Sequence, residues 1–242
     1  MKSRMIAVAG AKGSPGCSFI SAGLARCLAE QGIATLLVDA DAEHGSLGAL
    51  LDVSTYVGSN RLTGSARLGA LDPNALREST VQIGKCMWFA GLGESETGPF
   101  DGQELADAAR GSHDAVVVDL GHRSGPLQQQ LAGLSDWLLW VVVPDRCGLD
   151  RADRAVGAGV LNAASAGLIF NRIRRGCLPG AEEALSNTHG LAIMARIREE
   201  PRVLEHLVDG KYAFQERAIR GPLQALARSV HPDAAPVART WP

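Results

Sequence analysis

The 242-residue chain reads as an α/β protein built on a three-layer, doubly wound and mostly parallel sheet. Three observations predict this. Short apolar runs such as "TLLVD", "AVVVDL" and "WLLWVVV" show no polar alternation, so both of their faces require cover. Stretches with helical spacing of apolar residues fall between these runs. A hydrophobic content of 46% over this length supports one sizeable core rather than two small ones. A single domain over residues 1–230 is therefore expected, followed by a flexible C-terminal tail over 231–242, rich in Pro and Ala.

Each element follows from local composition. Met5 to Gly10 is a short apolar run ending in glycine and reads as a buried strand. Phe19 to Glu30 places Ile20, Gly23, Leu24 and Leu28 on one helical face, and Gly32 stops it. Thr35 to Asp39 reads as the second strand, and His44 to Leu51 as a short helix. Residues 54–80 are polar, glycine-rich and weakly periodic, which predicts a surface excursion. Lys85 to Ala90 is a strand candidate. Asp101 to Arg110 is helical with Asp101 as N-cap. Ala115 to Leu120 and Trp137 to Val143 are strongly apolar strands, and Leu149 to Val160 is a helix candidate. Gly167 to Phe170 and Leu191 to Met194 are short strands. Pro201 to Val208 and Glu216 to Val230 are helical, the latter interrupted by Gly221-Pro222.

Bulk charge narrows the function classes. The net charge is -2, the chain has no evident basic tract, and nothing in it signals direct nucleic-acid binding. The five cysteines show no paired spacing, which suits a reducing cytoplasm and excludes a disulfide framework or a zinc site. The start "MKSRMIAVAGAKG" has too short an apolar run for a signal peptide, and no stretch is apolar enough to span a membrane. The basic last helix is not a strong membrane-targeting helix and is expected to pack on the domain.

The chemistry concentrates in "VAGAKGSPGCSF", residues 8–19. A strand, a glycine-containing turn and a helix form the context of a phosphate site, in which backbone N–H groups and the positive helix end face the anion. In the frame G-x-x-x-x-G-K-[ST], Ala11 stands at the first glycine and Cys17 at the lysine. Gly13 and Gly16 let the backbone wrap closely, and Ser18 offers a hydroxyl for Mg2+. The bland alternative is an ordinary strand-to-helix turn. Asp39 and Asp41 follow the second strand and Asp119 ends "AVVVD", the arrangement in which an acid holds Mg2+ through water. Asp39 equally reads as a cap of the following turn.

Taken in order, these motifs resemble the MinD/ParA family of deviant-Walker P-loop ATPases. Its loop type K-G-G-x-G-K-[ST] aligns with Lys12-Gly13-Ser14-Pro15-Gly16-Cys17-Ser18, so this chain has an altered Walker A loop. "VDAD" resembles the switch I strand, "VVVDLG" the Walker B and switch II segment, and "VVVPDRCGLDRADRAVG" the strand and helix that follow. "LIFNRI" resembles the strand ending in an adenine-reading asparagine, and "ARIREEPRVLEHLVDGK" a segment with a proline-led helix. The resemblance covers about residues 4–230. "DADAEHGSLGALL" is similar to the branch that includes the CpaE and TadZ pilus-assembly proteins and septum-site-determining-like proteins. A receiver-like domain found in some members is not expected ahead of the first strand.

The resemblance implies a P-loop NTPase-type fold, ATP or ADP with Mg2+ as cofactors, and a homodimer that is nucleotide-dependent. It implies catalytic roles for Lys12, reaching the partner's nucleotide, and for Asp41, positioning the attacking water. It implies nucleotide contacts from Gly13, Ser14, Gly16, Cys17, Ser18, Phe19, Asn171 and Arg172, and metal contacts from Ser18 and Asp119. Asn171 also reads as a strand-ending turn residue, and Lys12 as a solvated surface lysine. Cys17 reads either as a small residue filling the space of a lost lysine or as a reactive thiol at a helix N-terminus. A cysteine cannot replace the lysine's charge, and losing one such donor costs about 10²–10³ in rate. The expected function is a spatial-positioning or assembly factor with impaired hydrolysis, serving a pilus or secretion system or the septum site. Its expected location is the cytoplasm, with recruitment to the membrane or cell pole by protein partners. Two alternatives stay open: a nucleotide-independent interaction scaffold, and an active switch ATPase that uses Lys12 in trans, including one for chromosome or plasmid partitioning.

Overall fold

A computed structural model of the chain describes residues 2–13, 15–41, 47–53, 71–92, 101–122, 124–174, 177, 179–203, 214 and 216–234. In chain order its elements are β1 (Arg4–Gly10), α1 (Cys17–Glu30), β2 (Thr35–Asp39), α2 (Leu47–Leu50), α3 (Pro73–Ser79), β3 (Val81–Gly84), β4 (Met87–Gly91) and α4 (Gly102–Ser112). There follow β5 (Ala115–Gly121), α5 (Pro126–Gly133), β6 (Trp137–Val142), α6 (Arg146–Gly157), β7 (Ser165–Ile173), α7 (Ala181–His189), β8 (Ala192–Arg198) and α8 (Arg217–Val230). The strands form one sheet in the order β3-β4-β2-β5-β1-β6-β7-β8. Every pairing is parallel except β3 with β4.

The two-faced burial expected of the apolar runs is seen residue by residue. Met5, Leu36, Val116, Leu138 and Phe170 face a core completed by Leu105, Leu131, Ala152 and Leu185 of the helices. Their chain neighbours Ile6, Leu37, Val117, Leu139 and Ile169 face the other way, against Ile20 and Leu24 of α1 and Leu223 and Leu226 of α8. Each fully buried Leu or Ile contributes roughly 1.5–3 kcal/mol of transfer free energy, so the central strands are held from both sides. Asp101 caps α4 as expected, accepting from the Gln103 N–H at 2.8 Å. α1 and α8 approach closely at Gly23, where a Cβ would lie 2.5 Å from Leu223 Cδ1.

Three expectations change. The stretch 54–80 is not wholly a surface excursion. Pro73–Ser79 forms α3, capped by Asp72 with Pro73 in its first turn, and Leu71 and Leu76 are buried. Its single apolar anchor per turn is too sparse a period to read in the sequence. Residues 54–70 lie outside the described residues, as do 44–46 of the predicted His44–Leu51 helix and 204–208 of the predicted Pro201–Val208 helix. Gly221-Pro222 does not interrupt the last helix, which runs unbroken from Arg217 to Val230. The anchors Ile219, Leu223, Leu226, Ala227 and Val230 hold it to the sheet. Pro222 removes the donor to the Ala218 carbonyl, and Ala218 is an exposed residue near the start of the helix, where such a loss costs least. Finally, the region expected to be tail from His231 begins packed, with His231 and Ala234 buried. Residues 235–242 lie outside the described residues.

At the opposite end of the sheet from the β-strand tips, His113 is 5% exposed, with Nδ1 2.8 Å from Ser112 Oγ and its ring edge-on to Trp88. Burial, with Arg77 adding, pushes this imidazole down to about 4 from 6.5. Below pH 6.5 the unfolded chain takes up a proton that the native state refuses, so this residue's contribution falls as pH drops from about 6.5 to about 4. It amounts to roughly 3 kcal/mol over that window. Denaturant titrations of His113→Leu against the natural chain isolate it: the stability difference should change by that order between pH 7 and pH 4, and a constant difference contradicts it.

Candidate functional site

The site is assembled where β1, β2 and β5 end together. β1 stops at Gly10, and α1 begins at Cys17 with Gly16 as N-cap in the left-handed region, φ 99°. No side chain caps α1 and no acid lies in its first turn. The first N–H groups of a helix have no intrahelical partner, so the loop presents donors and the positive dipole end to an anion. Pro15 contributes no N–H, and Ser14 lies outside the described residues. At Gly10 a Cβ would come within 2.5 Å of Pro15 Cγ and 2.8 Å of Cys17 Sγ. The loop thus folds down over the strand end, with the Cys17 thiol beneath it.

The acids arrive from β2 and β5. Asp39 and Asp119 are directly paired in the β2–β5 register, and both are buried. Asp39 accepts from the Asp41 N–H at 3.2 Å and the Leu47 N–H at 3.4 Å, so it does cap the turn after β2. Asp119 Oδ1 accepts from the Gly121 N–H at 3.1 Å, and the Ser18 hydroxyl hydrogen-bonds the same carboxylate. Asp119 Oδ2 is buried with no hydrogen-bond partner among the described residues. Asp41 lies over Gly121, whose φ is 66°, and a Cβ there would overlap the Asp41 carboxylate. The Gln128 amide donates to the Ala40 carbonyl at 2.8 Å and so ties the end of β2 to α5.

Among the described residues no lysine or arginine pairs with Asp39 or Asp119. Burial, with the neighbouring Asp119 adding, pushes Asp39 up to about 7. Burial and Asp41 likewise push Asp119 up to about 6, although Ser18 and the Gly121 N–H oppose this. Cys17 is 4% exposed, and its thiol is pushed well up by burial, Asp119 and Asp41. Its position at a helix N-terminus does not make it a thiolate, because these effects outweigh the dipole. Buried as it is, the Cys17 side chain packs beneath the loop against the end of β1.

The remaining predicted residues surround the loop. Lys12 Nζ pairs with Asp145 of its own chain at 3.1 Å, and Asp145 also caps α6 through the Gly148 N–H at 2.6 Å. A pocket of about 290 Å3 lined by Lys12, Gly13, Asp145, Arg172 and Cys177 lies on that side. A second, of about 180 Å3, is lined by Gly16, Phe19, Asn171, Arg172, Glu199 and Ile219. Phe19 stacks on Phe214 with ring centroids 4.7 Å apart. Asn171 is buried and points at the loop, where its amide donates to the Pro15 carbonyl at 2.8 Å. Arg172 is exposed in the left-handed region, φ 55°. Sequence reasoning missed Asp145, Gln128, Gly121 and Phe214. A signal existed for Asp145, which follows Pro144 and precedes an amphipathic run, and for Gly121, which follows the strand-ending acid. Gln128 and Phe214 carried none.

The sheet order, the loop between β1 and α1 and the strand-end acids define a P-loop NTPase-type domain. The chain belongs to the CobQ/CobB/MinD/ParA nucleotide binding domain family, whose profile matches residues 6–212. Among solved structures, it is similar to a ParA family ATPase from Chlorobium tepidum TLS, with TM-score 0.76, 20% identity and 93% and 97% of the two chains covered. It is similar to MinD in the MinC:MinD cell division complex of Aquifex aeolicus, with TM-score 0.74, 20% identity and 98% and 99% covered. It also resembles the septum site-determining protein MinD from Pyrococcus horikoshii OT3 complexed with Mg-ADP, with TM-score 0.72, 20% identity and 94% and 96% covered. At these identities the likeness shows the fold. No curated protein sequence matches the chain. No helix among the described residues is long and apolar enough to cross a membrane.

Two buried carboxylates without a cation cost stability at neutral pH. A raised carboxylate pKa means that this cost is absent below about pH 4 and complete above the folded value of about 6 for Asp119. Asp119→Asn should therefore stabilise metal-free protein at pH 8 by roughly 3 kcal/mol at most, seen as a higher melting temperature, and lose that advantage near pH 4. Calorimetry at both pH values checks this; a variant equally destabilised at each would contradict it.

Proposed function

We propose that the chain binds ATP or ADP with Mg2+ at the residue 11–19 loop and works as a spatial-positioning or assembly factor with impaired hydrolysis. The observation that carries this reading is the neutral, buried Cys17 beneath a loop whose donors and acids are otherwise in place. The uncapped first turn of α1 suits the phosphates. The unpartnered Asp119 Oδ2 beside Ser18 suits a magnesium ion, and these two residues would hold it. Bound there, Mg2+ would neutralise phosphate charge that the missing lysine no longer meets. Gly13, Ser14, Gly16, Cys17, Ser18 and Phe19 would supply the loop contacts, Asn171 and Arg172 would flank the base, and Asp41 would stand nearest an attacking water. The solved relatives give the company: one MinD holds Mg-ADP and another is bound to MinC. Partners from a pilus, secretion or division complex, and a cytoplasmic protein brought by them to the membrane or pole, fit the same reading.

A fluorescent mant-ATP titration with and without Mg2+ tests this directly. Binding with Mg2+ and slow turnover are expected. Cys17→Lys should then raise turnover by about 10²-fold or more, because one charged donor in such a site is worth that much. Absence of any binding by the natural chain sinks the proposal and favours the nucleotide-independent scaffold.

A second reading, an active switch working as a homodimer with Lys12 in trans, is favoured by the exposure of the Lys12–Asp145 pair. The two side chains are 25% and 52% exposed, so the pair is worth at most about 1 kcal/mol and is cheaply exchanged. Asp145→Asn keeps the α6 cap and releases Lys12. On this reading it increases the ATP-dependent dimer fraction in sedimentation velocity, whereas ADP leaves both proteins monomeric. An unaltered fraction argues that the pair is no brake.

A further inference from the structure

We infer that Asn171 is a positioning residue for the phosphate loop: its amide clamps the Pro15 carbonyl and holds the loop in its phosphate-ready shape. This rests on reading the loop as the phosphate site, and it assigns Asn171 a task separate from contact with a base.

Four features meet at this contact. The hydrogen bond is short, 2.8 Å, buried, and joins residues 156 apart in sequence. Pro15 has no N–H of its own, so its carbonyl is the group by which side chains can grip that part of the loop. Gly16 is shaped around the clamp. It has φ 99°, and a Cβ there would overlap Asn171 Nδ2, so the next residue must be glycine on both counts. On the other side, β7 breaks register with β8 at this point, from Phe170↔Arg196 to Ile173↔Arg198, and Arg172 adopts φ 55°. Left-handed backbone is unfavourable for arginine, and a bulge at a strand end re-aims side chains. The end of β7 is thus bent where Asn171 reaches the loop. In a loop whose lysine is replaced by Cys17, this clamp supplies order that a lysine–phosphate contact cannot.

The test uses the full chain with Asn171→Ala and Asn171→Asp, the latter of the same shape but with an acceptor where the donor stood. Hydrogen exchange of the ligand-free proteins is followed in peptides covering residues 10–20. Faster exchange there is expected in both variants, with peptides from β5 and β6 unchanged, which also shows that the variants fold. Calorimetric titration then compares ATP with tripolyphosphate, which has no base, in the presence of Mg2+. A clamp weakens both by the same factor, about tenfold. A base reader alone weakens ATP, leaves tripolyphosphate binding intact and leaves exchange unchanged, and that result overturns the inference. If the natural chain binds neither ligand, the phosphate-site reading fails, while the exchange measurement still decides whether the clamp exists.

Discussion

The site is governed by the burial of two carboxylates side by side. The β2–β5 register sets Asp39 level with Asp119, and the covered faces of the sheet remove both from water. Neither can move without shifting a central strand. Like charges in such surroundings hold each other's protons, and position 17 between loop and acids holds a cysteine rather than a cation. The thiol there cannot compensate, since the same two influences keep it neutral. Within the chain the pair is relieved by protonation, which is what the raised carboxyls of Asp39 and Asp119 express.

The loop answers the same constraint by packing. Gly10 leaves space for the Pro15 ring and the Cys17 sulfur, so the loop sits low over the end of β1. The space beneath the loop is occupied by the small, buried Cys17 side chain. The loop's order rests on backbone geometry, through an uncapped helix start, a left-handed glycine and a side-chain grip from β7.

Most of the sheet was legible because its strands advertise themselves. Val116, Val117 and Val118 are buried on alternating faces, and nothing else explains three such residues followed by an acid. Helices with one firm anchor, such as α3 on Leu76, gave too faint a period. Pro222 misled because the packing of Ile219, Leu223, Leu226, Ala227 and Val230 outweighs one lost hydrogen bond near the helix start. At the site, residue types and order put forward Ser18, Asp41 and Asp119 as candidates, and the fold brings them to the same strand ends. Partnerships were harder to see. That Lys12 meets Asp145, or Asn171 meets Pro15, depends on loops brought together from over a hundred residues apart. Sequence spacing holds no record of such meetings.

The contact of Asp41 with Gly121 has a consequence for how this protein can change. The Asp41 carboxylate occupies the space that a side chain at 121 would need, and the positive φ at 121 already excludes most replacements. The two positions therefore form an epistatic pair. A substitution acceptable at one depends on what stands at the other, so the ends of β2 and β5 can drift only together, and homologous sequences should record that dependence as paired substitution.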